Sequence, residues 1–315
     1  MDLRPTIFRA DGTLLLSAEY FILSGAVGLA IPARLGQSMS VHYATTPAPQ
    51  LTWQSYDDQQ KMWFAATFRL PDFVPMQYDT AQQNIVETLQ HLAQGIAKQR
   101  PDFWQKLPST VINTNTEFPQ NWGLGSSSTL VANLAAWAGV DPFWLNRWAF
   151  SGSGYDIACA TSQHPIFYQI TAKQAVHYQP TNLHYPFVEQ LYLVHLGKKQ
   201  NSREGIQRYR AQGEPPTILL QQISELSRQI AQADHLSSFE QYLLEHEKMV
   251  SRYLQMPRQQ DQLFDDYPHG IIKSLGAWGG DFVLATSSAD SFSTMHYFQQ
   301  KGFTTIIPAS KLLLL

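Results

Sequence analysis

The feature that most constrains this chain is a glycine- and serine-rich turn between a short strand and an apolar helix. Residues 119–129 read PQNWGLGSSST, the strand VINTN precedes them, and the apolar segment TLVANLAAWA follows. The glycines allow a tight turn and close approach to a ligand. The serines lie where the helix begins, with free N–H groups and the positive end of the helix dipole in front of them. The turn therefore predicts a phosphate-binding site formed by Gly123, Leu124, Gly125, Ser126, Ser127 and Ser128.

Other interpretations of this turn fit the sequence to different degrees. An ordinary helix N-cap would explain the same serines without a ligand. A P-loop would require Gly-Lys-Ser/Thr after the glycines, and none follows here. No Gly-x-Ser-x-Gly elbow follows a plausible strand either, which excludes the usual hydrolase turn. A phosphate-binding turn whose hydroxyls could bind Mg²⁺ indicates phosphoryl transfer.

Composition limits the class of protein. The chain has 315 residues, enough for two ordinary domains, and is 44% hydrophobic with 15% charged residues, which is typical of a globular protein. A formal net charge of −3 argues against nucleic acid as a partner. The single cysteine, Cys159, fits a reducing cytoplasm and is interpreted as a small buried side chain. No signal peptide and no long apolar run is found, so no membrane partner is expected.

Local patterns predict a mixture of strands and helices. Residues 51–55 and 62–68 are predicted to form a hairpin, and 80–98 and 217–233 show apolar residues at helical spacing. A further helix near 239–254 is preceded by a capping-box pattern from Ser237 to Glu240. The final Leu312–Leu315 is interpreted as the end of a short last strand. Strands and helices in both halves, with a boundary near 170–190, indicate an α+β fold.

Three further segments accompany the glycine-rich turn. They are GTLLLSAEYFILSGAVGLAIP at 12–32, GSGYDIA at 152–158 and IKSLGAWGGDFVLA at 272–285. In order and spacing, this set resembles the motifs of the GHMP kinases, the family of galactokinase, homoserine kinase, mevalonate kinase and phosphomevalonate kinase. The resemblance covers nearly the whole chain. It is closest to the mevalonate and phosphomevalonate kinase branch. The sequence GYDIA is similar to the motif after which a bacterial subgroup of the family is named.

Particular residues carry the resemblance to this branch. The phosphomevalonate kinase pattern Gly-Lys-Leu-Leu-x-x-Gly-Glu-Tyr is matched by Gly12, Leu14, Leu15, Glu19 and Tyr20. The third motif ends in Gly279-Gly280-Asp281, which is also similar to the phosphomevalonate type.

The resemblance implies an α+β, two-domain GHMP kinase fold. The expected domains are an ATP-binding domain at 1–178, like domain 2 of ribosomal protein S5, and a ferredoxin-like domain at 179–315. The implied activity is that of a cytoplasmic ATP- and Mg²⁺-dependent kinase. It would phosphorylate mevalonate or phosphomevalonate in isoprenoid precursor biosynthesis. The expected partners are ATP and a small anionic metabolite, with a homodimer left open.

The resemblance also assigns roles to residues. The backbone of Gly123–Ser128 would bind the phosphates of ATP, and Ser127 would bind Mg²⁺. Asp156 matches the catalytic base of mevalonate kinases, a task that suits a carboxylate near the substrate hydroxyl. Without the resemblance, Asp156 could simply cap the segment that follows it. Residues assigned to substrate binding are Glu19, Gly279 and Gly280.

A basic loop at 198–203 adds candidates for binding an acidic substrate. Its members are Lys198, Lys199, Ser202 and Arg203, and solvated surface is the alternative interpretation. Lys273 is interpreted either as a cation that neutralises phosphate or as a solvated side chain.

The chain departs from the family pattern at several positions. Thr13 replaces the lysine of the first motif, Ala18 replaces the glycine before Glu19, and residues 145–150 contain no Mg²⁺-binding carboxylate. Losing a lysine that stabilises transferring charge would be costly. These departures favour an alternative function, a catalytically weakened homologue that binds a metabolite or ATP as a sensor or partner protein. Diphosphomevalonate decarboxylases share the scaffold, but the SGSACRS-type loop they require is not found here.

Overall fold

A computed structural model gives the structure of the chain. It describes residues 5–150, 152–171, 175–198, 202–276, 278 and 281–315. The chain divides into two compact units. Unit 1 contains the residues up to Gly12, Leu35–Gln120 and Gly125–Thr161, and unit 2 contains Thr13–Arg34, Asn121–Leu124 and the residues from Ser162 onward. The domain boundary predicted at residue 178 stays a prediction.

Strands and helices are numbered along the chain, and strands β1 and β2 contribute to both units. The strands of the first half are β1 (Thr6–Leu15), β2 (Gly28–Ala44), β3 (Gln50–Tyr56), β4 (Met62–Arg69), β5 (Val74–Tyr78) and β6 (Ser109–Thr116). The helices of the first half are α1 (Gln83–Gln99), α2 (Ser126–Ala138), α3 (Pro142–Phe150) and α4 (Tyr155–Ser162). In unit 1 the strands lie in the order β5-β4-β3-β6-β2, and β3 and β6 are parallel while the other pairs are antiparallel.

The core of unit 1 lies between this sheet and its helices. Alternate residues of β3 and β4 are buried, and α1 buries one face that includes Leu89, Leu92 and Ile96. The predicted hairpin is confirmed as β3 and β4. Its turn is held by Asp57, whose carboxylate Oδ1 accepts hydrogen bonds from two backbone N–H groups of the turn at 3.0 and 2.9 Å.

The second half of the chain supplies the other elements of unit 2. Its strands are β7 (Ile166–Ile170), β8 (Val176–Pro180), β9 (Leu191–His195), β10 (Ile272–Ser274), β11 (Phe282–Thr286) and β12 (Ile306–Pro308). Its helices are α5 (Ser202–Ala211), α6 (Thr217–Gln232), α7 (Leu236–Leu254), α8 (Gln259–Leu263), α9 (Ser291–Gln300) and α10 (Ala309–Leu312). Short 3₁₀-helices occur at Phe21–Ser24, Thr80–Gln82, Trp104–Lys106 and Val188–Gln190.

Unit 2 is built around an antiparallel sheet in the order β10-β11-β9-β12. The strands β9 and β11 are buried along their whole length, because the sheet is covered by apolar side chains such as Phe264 and Phe298. Helices α6 and α7 pack against each other and bury Ile223 and Val250 with the aromatic ring of Phe21. None of the helices in the described residues combines the length and the apolarity that crossing a bilayer requires.

Two local predictions in unit 2 are wrong. Helix α7 begins at Leu236, so Ser237 lies inside it, and the carboxylate of Glu240 accepts a hydrogen bond from Thr286 instead of capping the helix. The chain end is not a strand, because Pro308 ends β12 and α10 follows it. Leu312 and Leu313 are buried, and Leu313 forms an isolated bridge with Ala33.

Candidate active site

The glycine-rich turn has the backbone conformation that its sequence predicts. Gly123 and Gly125 adopt left-handed φ angles of 67° and 81°, which side chains rarely tolerate. Helix α2 begins at Ser126, and no side chain caps its N-terminus. The N–H groups of Ser128 and Thr129 donate to the carbonyl of Gly125, both at 3.0 Å. Among the described residues, the N–H groups of Ser126 and Ser127 have no acceptor, so this helix start can receive an anion.

Asp156 contacts the start of α2 directly. It lies in the first turn of α4, and its Oδ2 accepts a hydrogen bond from the hydroxyl of Ser128. Its Oδ1 accepts from the N–H of Ile157 at 3.0 Å. Burial raises the pKa of the Asp156 carboxyl above its usual value, and the hydrogen bond from Ser128 partly opposes this effect. The residue as a whole is partly exposed by surface area.

Within unit 2, the first part of the turn is anchored on the sheet. His195 Nε2 lies 3.1 Å from the carbonyl oxygen of Asn121, and the ring of Trp122 packs edge-to-face on Phe282 with the centroids 5.4 Å apart. The N–H of Thr13 donates to the carbonyl of Leu124 at 3.0 Å. These contacts hold the backbone of successive residues of the turn in place. The position of His195 beside the turn could not be inferred from the residues around it in the sequence.

The backbone of Gly123 lies against the side chain of Asp281, a residue to which the family motifs assign no function here. A Cβ atom at Gly123 would lie 2.3 Å from Cγ and 2.4 Å from Oδ2 of Asp281. The carboxylate of Asp281 therefore lies against the backbone of the turn, and only glycine fits at position 123. The main-chain carbonyl of Asp281 accepts from the N–H of Leu196 at 2.8 Å, which fixes the start of β11 to β9.

Glu19, predicted to bind substrate, is fully buried in a charged cluster. Lys273 Nζ lies 2.5 Å from Glu19 Oε1 and 3.2 Å from Glu247 Oε1. It also donates to the carbonyl of Ser274 at 2.6 Å, and the Ser274 hydroxyl donates to Glu247 at 2.9 Å. The interpretation of Lys273 as a solvated side chain is wrong, because its ammonium is buried with several acceptors around it.

Burial and charge set the protonation of this cluster. Burial raises the pKa of Glu19 to about 7, against the opposing attraction of the Lys273 ammonium. Burial alone would lower the pKa of Lys273, but the two carboxylates raise it above its usual value. His246 accepts a hydrogen bond from the N–H of Ala18 at 2.9 Å through Nε2, and burial with the nearby Lys273 lowers its pKa well below the usual value. His246 is therefore neutral.

The cluster fixes a strained part of the first motif. Ala18 and Tyr20, which flank Glu19, have φ angles of 64° and 65°. The ring of Tyr20 stacks on Tyr209 with the centroids 5.9 Å apart. A Cβ atom at Gly205 in α5 would lie 2.0 Å from the Tyr20 hydroxyl, so glycine provides the space for this ring.

The remaining predicted residues are described only in part. Lys198 is exposed, and the backbone of Ser202 and Arg203 forms the start of α5. Lys199, Gly279 and Gly280 lie outside the described residues. Thr13, which replaces the family lysine, is buried, and its hydroxyl has no hydrogen-bond partner among the described residues. Cys159 is buried as predicted, and its pKa is raised well above the usual value by burial.

Comparison with known proteins identifies the fold. No family model and no curated protein sequence matches this chain. Solved structures do match, and among them is the Lin0012 protein from Listeria innocua, with a TM-score of 0.68 and 15% identity over 97% of both chains. Mevalonate kinase from Methanococcus jannaschii matches with a TM-score of 0.69 and 12% identity over 98% of both chains.

A third matching structure contains bound ligands. It is phosphomevalonate kinase from Streptococcus pneumoniae, in complex with phosphomevalonate and AMPPNP, with a TM-score of 0.62 and 16% identity over 95% of this chain and 97% of that one. Because all three identities are low, these likenesses concern the fold. The predicted α+β fold of the GHMP kinases is confirmed.

Proposed function

We propose that this protein is an ATP-dependent small-molecule kinase of the GHMP type. The observation that carries the proposal is the hydrogen bond between Ser128 at the start of α2 and the carboxylate of Asp156. This bond joins a helix start suited to phosphate with a group suited to accept a proton. Phosphoryl transfer from ATP to an alcohol requires both of these functions close together.

The nucleotide phosphates are expected at the N-terminus of α2. The N–H groups of Ser126 and Ser127 have no acceptor among the described residues, and the hydroxyl of Ser127 is on an exposed residue. Left-handed glycines on the preceding turn keep side chains away from the phosphates. Mg²⁺ would be held by the phosphates with the Ser127 hydroxyl as a protein ligand, and it supplies positive charge that stabilises the transferring group.

Asp156 is the proposed general base. With an alcohol acceptor such as mevalonate, its carboxylate would accept the proton of the substrate hydroxyl while the hydroxyl oxygen bonds to the γ-phosphorus of ATP and the bond to ADP breaks. With phosphomevalonate the attacking atom would be an ionised phosphate oxygen, so no proton would have to leave it. The hydrogen bonds from Ser128 and Ile157 hold the carboxylate in one orientation, which a base needs if it is to meet a bound hydroxyl. Asp156 also lies in the first turn of α4, so a capping contribution is compatible with this role.

The proposed acceptor is mevalonate or phosphomevalonate, in isoprenoid precursor biosynthesis. Support comes from the pattern around Glu19 and Tyr20, and from a fold shared with mevalonate and phosphomevalonate kinases. The exposed Lys198 and the basic loop that contains it would attract an anionic substrate. Glu19 itself is buried against Lys273, so its proposed contribution is to hold the first motif in the shape that faces the substrate.

A second candidate function follows from Thr13. This side chain is buried and uncharged where the family has lysine, and the ammonium of Lys273 is bound to buried carboxylates. A protein with these features could bind ATP or a metabolite without efficient turnover. It would then act as a sensor or as a partner protein.

The first test measures nucleotide binding and turnover. Isothermal titration of the protein with ATP and MgCl₂ is expected to show binding at millimolar or lower concentration. A Gly125→Trp variant should lose it, because the indole would occupy the turn in front of α2. An ATP-consumption assay with mevalonate, phosphomevalonate, homoserine and sugars then identifies the acceptor. Absence of binding to the wild type would refute the kinase proposal, and binding without turnover on any acceptor would favour the sensor.

A second test uses the close approach at Gly123. In Gly123→Ala the new methyl group would collide with Asp281 in a left-handed backbone conformation, so the turn or the Asp281 side chain must move. Nucleotide binding should then weaken roughly tenfold, the change that ~1.4 kcal/mol of binding free energy produces, as measured by titration. Gly213→Ala is the matched control, since Gly213 has φ 86° and a Cβ atom added there would meet no atom within 4 Å. Wild-type affinity in Gly123→Ala would show that this turn does not bind the nucleotide.

A further inference from the structure

An open cavity lies between the hairpin of β7 and β8 and the helix α6. Its volume is about 310 Å³, a size that suits a small organic ligand. Its lining residues all belong to unit 2, and none of them is part of the glycine-rich turn or of the charged cluster around Lys273. The lining includes Val27, Phe167, Gln169, His177, Gln179 and Arg228.

The register of the hairpin brings apolar and polar side chains together in this cavity. Phe167 pairs with Gln179, and Gln169 pairs with His177. Side chains of paired residues in antiparallel strands lie on the same face, and so do those of alternate residues along one strand. These four side chains therefore share one face of the hairpin, where the aromatic ring of Phe167 lies beside an imidazole and two amides.

Hydrogen bonds hold the walls of the cavity in place. The side-chain Nε2 of Gln169 donates to the carbonyl of Gly25 at 2.8 Å. The N–H of Val27 donates to the hydroxyl of Ser224 in α6 at 2.9 Å. Arg228 follows Ser224 by one helical turn, so the two side chains lie on the same side of α6. The cavity is therefore formed before any ligand arrives.

The charge of the cavity favours an anion. Among the described lining residues there is an arginine and a histidine, but no aspartate or glutamate. Glu225 is the ion-pair partner of Arg228, with 3.5 Å between Oε2 and Nη1, and the two side chains are 58% and 48% exposed. Exposed ion pairs contribute little to stability, so a ligand can compete for the guanidinium. The fork of N–H donors on an arginine matches the oxygens of a phosphate group.

We propose that this cavity binds a small phosphate monoester that carries an apolar group. The phosphate oxygens would accept hydrogen bonds from Arg228, His177 and Gln179, while the apolar group covers Phe167 and Val27. This would be a second ligand site, in addition to the nucleotide site proposed at the turn. It does not require the protein to be a kinase.

The experiment is a titration of the full-length protein with phenyl phosphate, followed by NMR line broadening of the phenyl protons. The titration is made in the presence of excess ATP and MgCl₂, which occupy the turn if it binds nucleotide. Phenyl phosphate should bind to the wild type under these conditions. Inorganic phosphate and benzoate should bind more weakly, because the first lacks the apolar group and the second lacks the phosphate.

Two substitutions locate the site. Arg228→Gln should weaken binding of phenyl phosphate about tenfold, the change that ~1.4 kcal/mol produces. Gln179→Glu places a carboxylate in the cavity at nearly constant shape and should weaken binding to a similar degree. Arg252→Gln and Gln299→Glu are the matched controls, at exposed positions of α7 and α9 in the same unit, and should keep the wild-type affinity. Thermal unfolding checks that all four variants are folded.

Several outcomes would overturn the proposal. Wild-type affinity in both Arg228→Gln and Gln179→Glu would show that phenyl phosphate binds elsewhere, and complete displacement by ATP would place it at the nucleotide site. Equal affinities for phenyl phosphate and inorganic phosphate would remove the apolar contact, and equal affinities for phenyl phosphate and benzoate would remove the preference for phosphate. A wild type that binds phenyl phosphate in the cavity but does not bind ATP would refute the kinase function and leave this site intact.

Discussion

Replacing Lys273 by methionine is expected to lower the free energy of unfolding by about 3–5 kcal/mol, the range found when one partner of a buried ion pair is removed. The ammonium of Lys273 is fully buried between the carboxylates of Glu19 and Glu247. Methionine keeps the length of the side chain but leaves two buried carboxyl groups without a counter-charge. Urea denaturation at pH 8 measures the change, and Lys248→Met on the exposed side of α7 is the matched control.

The destabilisation should depend on pH with a definite sign. Without Lys273, burial raises the folded-state pKa of Glu19 and Glu247 still further above their unfolded values. A carboxyl group with a raised folded pKa favours folding most when it is protonated, at low pH, and this contribution is lost as pH rises through the folded pKa. The variant should therefore be closer to the wild type in stability at pH 5 than at pH 8. A loss below about 1 kcal/mol, the range of an exposed ion pair, or one that does not change with pH, would contradict the buried-pair account.

The parts of the fold that sequence predicted are those governed by neighbours along the chain. The hairpin of β3 and β4 and the turn from Gly123 into α2 depend on local alternation, on turn residues and on glycine conformation. Asp156 was assigned as the catalytic base because the GSGYDIA segment resembles the second motif of the family. Its direct contact with Ser128 joins two motifs that were assigned separately.

The parts that sequence missed depend on partners far away along the chain. Lys273 and Glu19 are 254 residues apart in sequence, and nothing in either segment indicates that they are buried together. An isolated lysine before a loop is normally solvated. The interpretation of Lys273 as solvated was wrong because the fold places the carboxylates of Glu19 and Glu247 beside its ammonium. The contact of Asp281 with Gly123 was missed for the same reason. The one sequence signal was the charged side chain that directly follows two glycines of the third motif. The predicted capping box was wrong because the carboxylate of Glu240 accepts a hydrogen bond from Thr286, a residue far along the chain, instead of from the start of the helix.

The substitution Asp156→Asn is expected to reduce kcat by about 10²–10⁴-fold, the usual contribution of a general base, with little change in ATP affinity. Asparagine keeps the shape of the side chain and can still contact Ser128, but it cannot accept the proton of the substrate hydroxyl. Steady-state kinetics with the acceptor found in the screen measure kcat, and titration measures the affinity for ATP. Asp58→Asn, at an exposed position in the turn between β3 and β4, removes one negative charge elsewhere in unit 1 and is the matched control.

The pH dependence of the wild type supplies a second test of the same base. A base must be deprotonated to act, so kcat/KM should fall as pH is lowered through the pKa of Asp156, which burial places above the usual value for aspartate. Ser128→Ala removes a hydrogen bond that favours the carboxylate form, and it should therefore move this acidic limb to higher pH. An Asp156→Asn variant with wild-type kcat, or an acidic limb that does not move in Ser128→Ala, would show that another group accepts the proton. If the wild type binds ATP but transfers phosphate to none of the acceptors, the uncharged Thr13 becomes the better explanation, and Asp156 would then serve to hold the start of α2 in place.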